Sequence, residues 1–294
     1  MGNHSAEKIK LTSFDDLFGE RPQKGPGENQ IVNIPLTELH NFPNHPFRVV
    51  DNEEMESLSK SIRQYGVLMP GIARKSKIGG YELVAGHRRK RGSELAGLKD
   101  MPMMIRNLTD DEATIIMVDS NIQRENILPS EKAWAYRMKM EALKHQGVKG
   151  EGFTADLVGK SAGESGRTVQ RYIRLTYLKE ELLEYVDQKK LPAMSGEKIS
   201  FLTLEEQTLV FDIIKEYQIF PSKGEAEILR VESSKGLLSR ERIKEILVKE
   251  ERMSGVTLPI KRIRNYFPDS YSKKQIEDII FNLLDSWKER QGIL

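Results

Sequence analysis

Residues 81–119, YELVAGHRRKRGSELAGLKDMPMMIRNLTDDEATIIMVD, followed at once by SNIQREN at 120–126, decide the reading of this chain. Tyr81 to Ala85 alternate as a strand does, Gly86 supplies a turn, and residues 87–95 read as a helix whose first turn carries Arg88, Arg89 and Arg91. A helix start presents amide groups without intrahelical partners, and guanidinium groups present planar sets of donors, so together they suit a polyphosphate. The chain then returns as a strand over residues 101–106 and opens a second helix with a Thr109, Glu112 capping box. That helix ends on the polar set Asn121, Gln123 and Arg124.

Working outward, Met55, Leu58, Ile62 and Tyr65 mark the buried stripe of a helix that begins near Asp51 and stops at Gly66. Strands at Gly71–Lys75 and Tyr81–Ala85 are joined by a Gly79, Gly80 turn, which makes the first domain α+β with the basic turn at its edge. Upstream, residues 1–30 are polar, and RPQKGPGENQ at 21–30 has the Gly and Pro of a flexible linker. Only FDDLFG at 14–19 interrupts it, with Phe14, Leu17 and Phe18 on one side of a helical turn. Such a turn suits a docking peptide or a tail folding back on its own domain.

From Pro129 onward the pattern is helical. Ala133, Tyr136, Met140 and Leu143 share one face of a long helix ending at Gly147. Residues 154–162, a turn at Gly163 and residues 165–175 then have the proportions of a helix-turn-helix. Ser165 is its N-cap, Val169, Tyr172 and Ile173 point inward, and Arg167, Thr168, Gln170, Arg171 and Arg174 face out. An outward set of this kind reads base edges and phosphates in a major groove; the same residues also describe an ordinary basic surface helix. Near the C-terminus, Ser272 and Gln275 form a capping box. Ile276, Ile280, Leu283 and Trp287 make a narrow seam that suits either a second copy or the preceding helices of the same chain.

Composition excludes several function classes. The chain has 294 residues with 46 basic and 44 acidic side chains, a formal charge of +2, so its overall charge selects no partner. Locally, residues 60–106 hold eleven Lys or Arg against three Asp or Glu, centred on the Gly86 turn. Without cysteine there are no disulfides, thiol nucleophiles or zinc-thiolate sites. No apolar run reaches the roughly 18 residues of a membrane span and no signal-peptide core is evident, so a soluble cytoplasmic protein is expected.

Four ordered blocks carry a family resemblance: FPNHPFR at 42–48, GVLMPGIAR at 66–74, GHRRKRGSELAGLKDMP at 86–102 and NIQRENILPSEKA at 121–133. They resemble the ParB/RepB family of partition proteins, closely over residues 31–178 and more loosely to 225. The resemblance implies an N-terminal α+β ParB/sulfiredoxin-like domain, an all-α helix-turn-helix domain and a small, mostly helical C-terminal segment. Expected bounds are a flexible tail at 1–30, then 31–126, 127–225 and 226–294, the last as a dimerising region.

It further implies a CTP-dependent DNA clamp that binds an inverted, centromere-like repeat. Its partner would be a ParA-like ATPase stimulated through the N-terminal tail around Lys8 and Lys10, and its place a bacterial nucleoid or plasmid. By motif position, Gly86, His87, Arg88 and Arg89 fall on the triphosphate, and Asn121 on phosphate or Mg2+. Arg124 links the nucleotide to the closing helices. Gly66 and Pro70 shape the base and ribose pocket, with Arg48 beside it. DNA contacts fall on Ser165, Arg167, Thr168, Gln170, Arg171 and Arg174.

Two positions depart from the pattern. His87 stands where many relatives have Glu, and so does Ser120; neither is the hard oxygen ligand that holds Mg2+ or orients water, so weak CTP hydrolysis or none is expected. Asp119 reads as a surface acid or a cap. Two other functions remain open on the same fold, a transcriptional repressor and a nucleotide-dependent enzyme, although the lack of cysteine removes sulfiredoxin chemistry.

Overall fold

The computed structural model describes residues 31–124, 126–148, 150–248, 263–268 and 270–290. The tail at 1–30, with its Phe14, Leu17, Phe18 turn, lies outside them. The chain divides into two compact units, residues 1–248 and 249–294.

The first unit opens with a mixed five-stranded sheet of order β1-β5-β3-β4-β2. Its strands are β1 (Ile31–Pro35), β2 (Leu39–Asn41), β3 (Gly71–Lys75), β4 (Tyr81–Ala85) and β5 (Asp100–Ile105). β1 runs antiparallel to β5 and β3 to β4, whereas β2 joins β4 and β3 joins β5 in parallel. Alternation along the strands feeds two cores: Ala73, Leu83 and Met103 pack on one side with Ile34 and Leu39, while Ile72 and Val84 pack on the other with Phe42 and Phe47. The Gly79, Gly80 hairpin forms as expected, both residues having positive φ. The basic turn, however, leaves the end of β4, an interior strand flanked by β3 and β2, and does not sit on the sheet edge.

Helix α1 (Glu53–Tyr65) is capped by the Asn52 side chain and stopped by Gly66 at φ 73°. Its buried side chains are Met55, Ser59 and Ile62; Tyr65, the fourth expected apolar position and the last residue of the helix, is 62% exposed. Helix α2 (His87–Ala96) packs against it through Gly92, where a Cβ would come within 2.9 Å of Ile62 Cδ1. Helix α3 (Asp110–Asn121) carries both halves of the Thr109, Glu112 capping box.

Helix α4 (Pro129–His145) buries Ala133, Tyr136, Met140 and Leu143. Helices α5 (Glu151–Lys160) and α6 (Gly166–Leu175) flank a Gly163 turn at φ 67°. Further helices are α7 (Glu180–Asp187), α8 (Ala193–Ile199), α9 (Leu204–Tyr217), α10 (Lys223–Ser234) and α11 (Arg240–Leu247). One continuous core runs from Phe42 and Val84 through Ile116 and Tyr136 to Val169, so the sheet domain and the helix-turn-helix share their interior. A second core takes in Leu175, Val210, Ala226, Leu229 and Ile243. The division expected at residue 225 therefore falls inside α10, whose apolar face is committed to the helices before it.

Polar ties reinforce this continuity. Lys139 on α4 is 3% exposed, and its ammonium group meets Asp119 Oδ1 at 2.5 Å and Ser161 Oγ at 3.0 Å. Asp119 is thus a structural ion-pair partner, not a surface acid or a cap. Lys132, Glu164 and the Tyr136 hydroxyl form a second set between α4 and the turn before α6.

In the second unit, α12 (Lys273–Arg290) starts at the expected box, with Ser272 and Gln275 exchanging hydrogen bonds. Ile276 is buried, while Leu283 and Trp287 are 64% and 56% exposed. No helix among the described residues is long and apolar enough to cross a membrane.

Replacing Lys139 with Ala leaves the Asp119 carboxylate without its cation and should cost roughly 3 kcal/mol, the low end for a broken buried pair because Asp119 keeps some solvent. Chemical denaturation measures it; a Lys139→Met, Asp119→Leu double variant should recover most of the loss.

Candidate functional site

Gly86 has φ 111° and ψ 19°, a conformation L-residues avoid, and a Cβ there would meet Gly71 Cα at 3.2 Å and Arg89 Nη2 at 3.3 Å. The turn therefore brings the start of α2 hard against the start of β3. Arg89 locks that approach: its Nη1 donates to the carbonyls of Met69 at 2.7 Å and Pro70 at 2.6 Å. Burial pulls the Arg89 guanidinium below its ordinary pKa, and it remains a cation. The expected base-pocket residues Gly66 and Pro70 are thus joined to the turn through the 66–70 loop.

The other cations of this turn also have protein acceptors. Arg88 pairs with Glu54 at 2.9 Å, and Arg91 takes Asp51 through both Nε and Nη2 at 3.0 and 2.6 Å. Lys90 donates to the Leu39 carbonyl at 2.6 Å. The basic excess counted over 60–106 is offset by Asp51 and Glu54, which lie just upstream of that window. The Arg88–Glu54 pair is exposed and so contributes little and exchanges easily.

His87, the first residue of α2, lies against His45 with ring centroids 3.8 Å apart and the rings tilted by 41°. His45 is oriented by Nδ1 against the Phe47 carbonyl at 2.8 Å, which leaves its Nε2 buried without a partner; both ring nitrogens of His87 are in the same condition. Burial, then the nearby His45 and Lys90, push His87 down to about 3, and burial lowers His45 as well. Both rings are neutral at pH 7. A cavity of 320 Å³ adjoins them, lined also by Asn41, Lys90, Arg91 and Glu94.

The end of α3 closes the arrangement. Arg124 lies in the field of Arg88, Glu54 and Glu131, so the two motifs separated in sequence share one electrostatic site. Asn121 Nδ2 donates to the Met117 carbonyl at 2.8 Å, and its Oδ1 receives Arg124 Nη1 at 3.4 Å. Ser120 Oγ donates to the same Met117 carbonyl at 3.0 Å. Arg48 is placed differently from the rest: its side chain is exposed at a cleft with Leu128, Trp134 and Glu184, and its backbone amide donates to Glu131 Oε1 at 2.7 Å.

An Mg2+ ion needs hard oxygen ligands in near-octahedral array. Here the Asn121 amide oxygen already accepts from Arg124, and Asp51, Glu54, Asp119 and Glu131 are engaged by cations or amides. Among the described residues no group of three His, Asp or Glu is placed to hold a metal. The residues do not fit the Mg2+ contact expected at Asn121.

In the helix-turn-helix, Ser165 caps α6 by accepting from the Thr168 amide, and the two hydroxyls lie 3.0 Å apart, so both serve the cap. Arg167 and Gln170 are exposed. Arg171 is half-buried beside Glu197 at 3.4 Å, with no aligned hydrogen bond from its Nε. Arg174 was expected to face out; instead its guanidinium stacks 3.9 Å over the Phe201 ring and donates to the Ser200 carbonyl at 2.6 Å, because α8 ends directly beside it. These residues line a 630 Å³ cleft completed by Lys144, Lys198 and Lys223. His45, Glu131 and Glu197 were missed in the sequence, since each acts through a partner 42, 83 or 26 positions away.

Comparison with known proteins follows this geometry. The ParB N-terminal domain model matches residues 20–122. The chain is 32% identical over 209 residues to the chromosome-partitioning protein Spo0J of Thermus thermophilus, covering 71% of this chain and 72% of that one. It is 33% identical over 204 residues to the probable chromosome 1-partitioning protein ParB of Deinococcus radiodurans, covering 69% and 67%. A solved structure of C-terminally truncated ParB from Caulobacter crescentus, complexed to the centromeric parS site, aligns over 68% of this chain and 99% of that one with 28% identity and a TM-score of 0.45. An α+β domain running into a helix-turn-helix defines a class of DNA-binding protein with a basic pocket. Within that class, this chain belongs to the ParB family of partition proteins.

The neutral histidines carry a pH signature. With His87 at about 3 in the fold and near 6.5 when unfolded, the unfolded chain binds the extra proton between those values, so its contribution is complete above pH 6.5 and is lost as pH falls. Between pH 7 and 5 the chain should lose roughly 2 kcal/mol more than a His87→Gln variant. Thermal or denaturant melts at the two pH values check the difference.

Proposed function

We propose that this chain is a sequence-specific DNA-binding partition protein that loads on a centromere-like inverted repeat and uses CTP, held at the Gly86 turn and the end of α3, to close as a clamp on DNA. The observation that supports it best is the direct mechanical connection between pocket and DNA-facing helices. Gln123 Nε2 donates to the Ser161 carbonyl at 3.2 Å, two residues past Asn121, and Lys139 ties Asp119 to Ser161. A ligand that favours one position of the α3 end thereby favours one position of α5 and the α6 turn, which is the linkage a nucleotide switch needs.

In this reading Arg88, Arg89 and Arg124 serve the phosphates, with Gly86 giving them access. Gly66 and Pro70 shape the pocket wall, His87 and Asn121 border the ligand, and Arg48 moves with the 42–48 loop through Glu131. The absence of a free carboxylate at His87 or Ser120 makes CTP turnover slow. Arg167 and Gln170 read bases. Arg171, steadied by Glu197, and Arg174, held on Phe201, follow the phosphate backbone, and Ser165 and Thr168 fix the helix start. The exposed Leu283 and Trp287 on α12 pair two copies, and the N-terminal tail engages a ParA-like ATPase. The protein would act in the bacterial cytoplasm on the nucleoid or a plasmid.

Sequencing of DNA retained by the chain, with and without CTP, tests the reading: one strong palindromic peak that spreads with nucleotide supports it, and many scattered promoter peaks sink it. Arg167→Ala should lower affinity for the specific site by about 1–3 kcal/mol while changing random-sequence affinity far less. Equal losses on both DNAs, read by fluorescence anisotropy, would remove Arg167 from base recognition.

A further inference from the structure

We propose that the pocket binds a nucleotide polyphosphate without a divalent cation, the guanidinium groups of Arg88, Arg89 and Arg124 neutralising the phosphates and the imidazoles of His45 and His87 hydrogen-bonding the nucleotide directly. The proposal deepens the nucleotide reading above and rests on it. Three observations carry it.

The first is the donor set. A divalent cation at a polyphosphate is held by carboxylates or other free oxygens, and among the described residues no group of three His, Asp or Glu is placed to hold one: Asp51 and Glu94 are engaged by Arg91, Glu131 by the amides of Arg48 and Leu128, and the Asn121 oxygen by Arg124, which leaves Glu54 alone. The positive charge that a cation would bring is already present.

The charge of Arg88 disfavours that of Arg124, and an anion beside the two relieves it. The Arg88–Glu54 pair is exposed, so exchanging Glu54 for a phosphate oxygen costs little. Arg89 keeps the Met69 and Pro70 carbonyls and turns its remaining donors to the turn.

The third observation is the pair of histidines. Three buried ring nitrogens, His45 Nε2 and both nitrogens of His87, have no partner. Buried polar atoms left unpaired are uncommon in folded proteins and ask for a ligand. With Nδ1–H of His45 committed to the Phe47 carbonyl, its Nε2 is an acceptor, suited to a sugar hydroxyl; neutral His87 offers one N–H to a phosphate oxygen. Reaching them requires the two rings to part, which gives up the 3.8 Å contact and satisfies His45 Nε2 and one nitrogen of His87.

Equilibrium dialysis of radiolabelled CTP against the full chain, in excess chelator and in millimolar Mg2+, tests the idea. The two dissociation constants should agree within about threefold. His87→Glu, which restores an oxygen ligand beside the turn, should bind at least about tenfold more weakly in chelator than in Mg2+. Should that variant not fold, His87→Gln and His45→Gln serve instead. Each should weaken binding in chelator, and affinities equal to wild type would overturn the role given to the histidines. Wild-type binding that disappears in chelator overturns the inference and leaves the nucleotide reading intact. No binding in either condition, by a chain that still binds its DNA site, overturns both.

Discussion

Burying an ammonium group costs several kcal/mol unless its charge and its protons are met, and Lys139 meets them with Asp119 at the end of α3 and Ser161 at the end of α5. Because the cost of leaving either acceptor is so high, the last turn of α3, the middle of α4 and the end of α5 are held in fixed relation. The pocket residues Asn121 and Arg124 follow that turn directly. Helix α6 follows α5 after a turn of a few residues. An apolar interior running from Val84 to Val169 supplies the bulk of the cohesion, and the ion pair supplies the register.

Around the pocket the electrostatics are those of a site in waiting. Cations from α2 gather on one region in the field of Arg124, just past α3, and Asp51 and Glu54, before and at the start of α1, hold two of them in place at the surface. The two histidines are kept uncharged by burial and by their cationic surroundings. The cations have protein acceptors, and it is the unmet ring nitrogens of the two histidines that distinguish this arrangement from a saturated surface network.

The local patterns were legible in the sequence wherever the chain itself supplies both halves of an interaction. The strand, Gly86 turn and helix at 81–96, the Thr109, Glu112 box, the Ser165 cap and the Ser272, Gln275 box all formed as read, since each depends on residues within a few positions of one another. What was not legible depends on distant partners. Tyr65 continues an apolar period but ends its helix exposed to solvent. Arg174 has the spacing of an outward residue, yet α8 arrives beside it and turns it onto Phe201. Asp119 looked like surface, because the lysine that buries it is 20 residues away on another helix. The boundary near 225 failed for the same reason: charged surface residues on α10 concealed that Ala226 and Leu229 complete an earlier core.

Glu54 gives the pocket an internal competitor. In the proposed reading, an anion that claims Arg88 must first displace a carboxylate that the fold keeps beside it, so the site would discriminate by charge density: a chloride or a single carboxylate would gain nothing by the exchange, whereas a polyphosphate reaching both Arg88 and Arg124 would. Salt weakens the resident pair as well as the incoming one. The occupancy of such a pocket would therefore be buffered against ionic strength, a useful property beside DNA, where counterions are crowded and their concentration shifts whenever the double helix is bound or released.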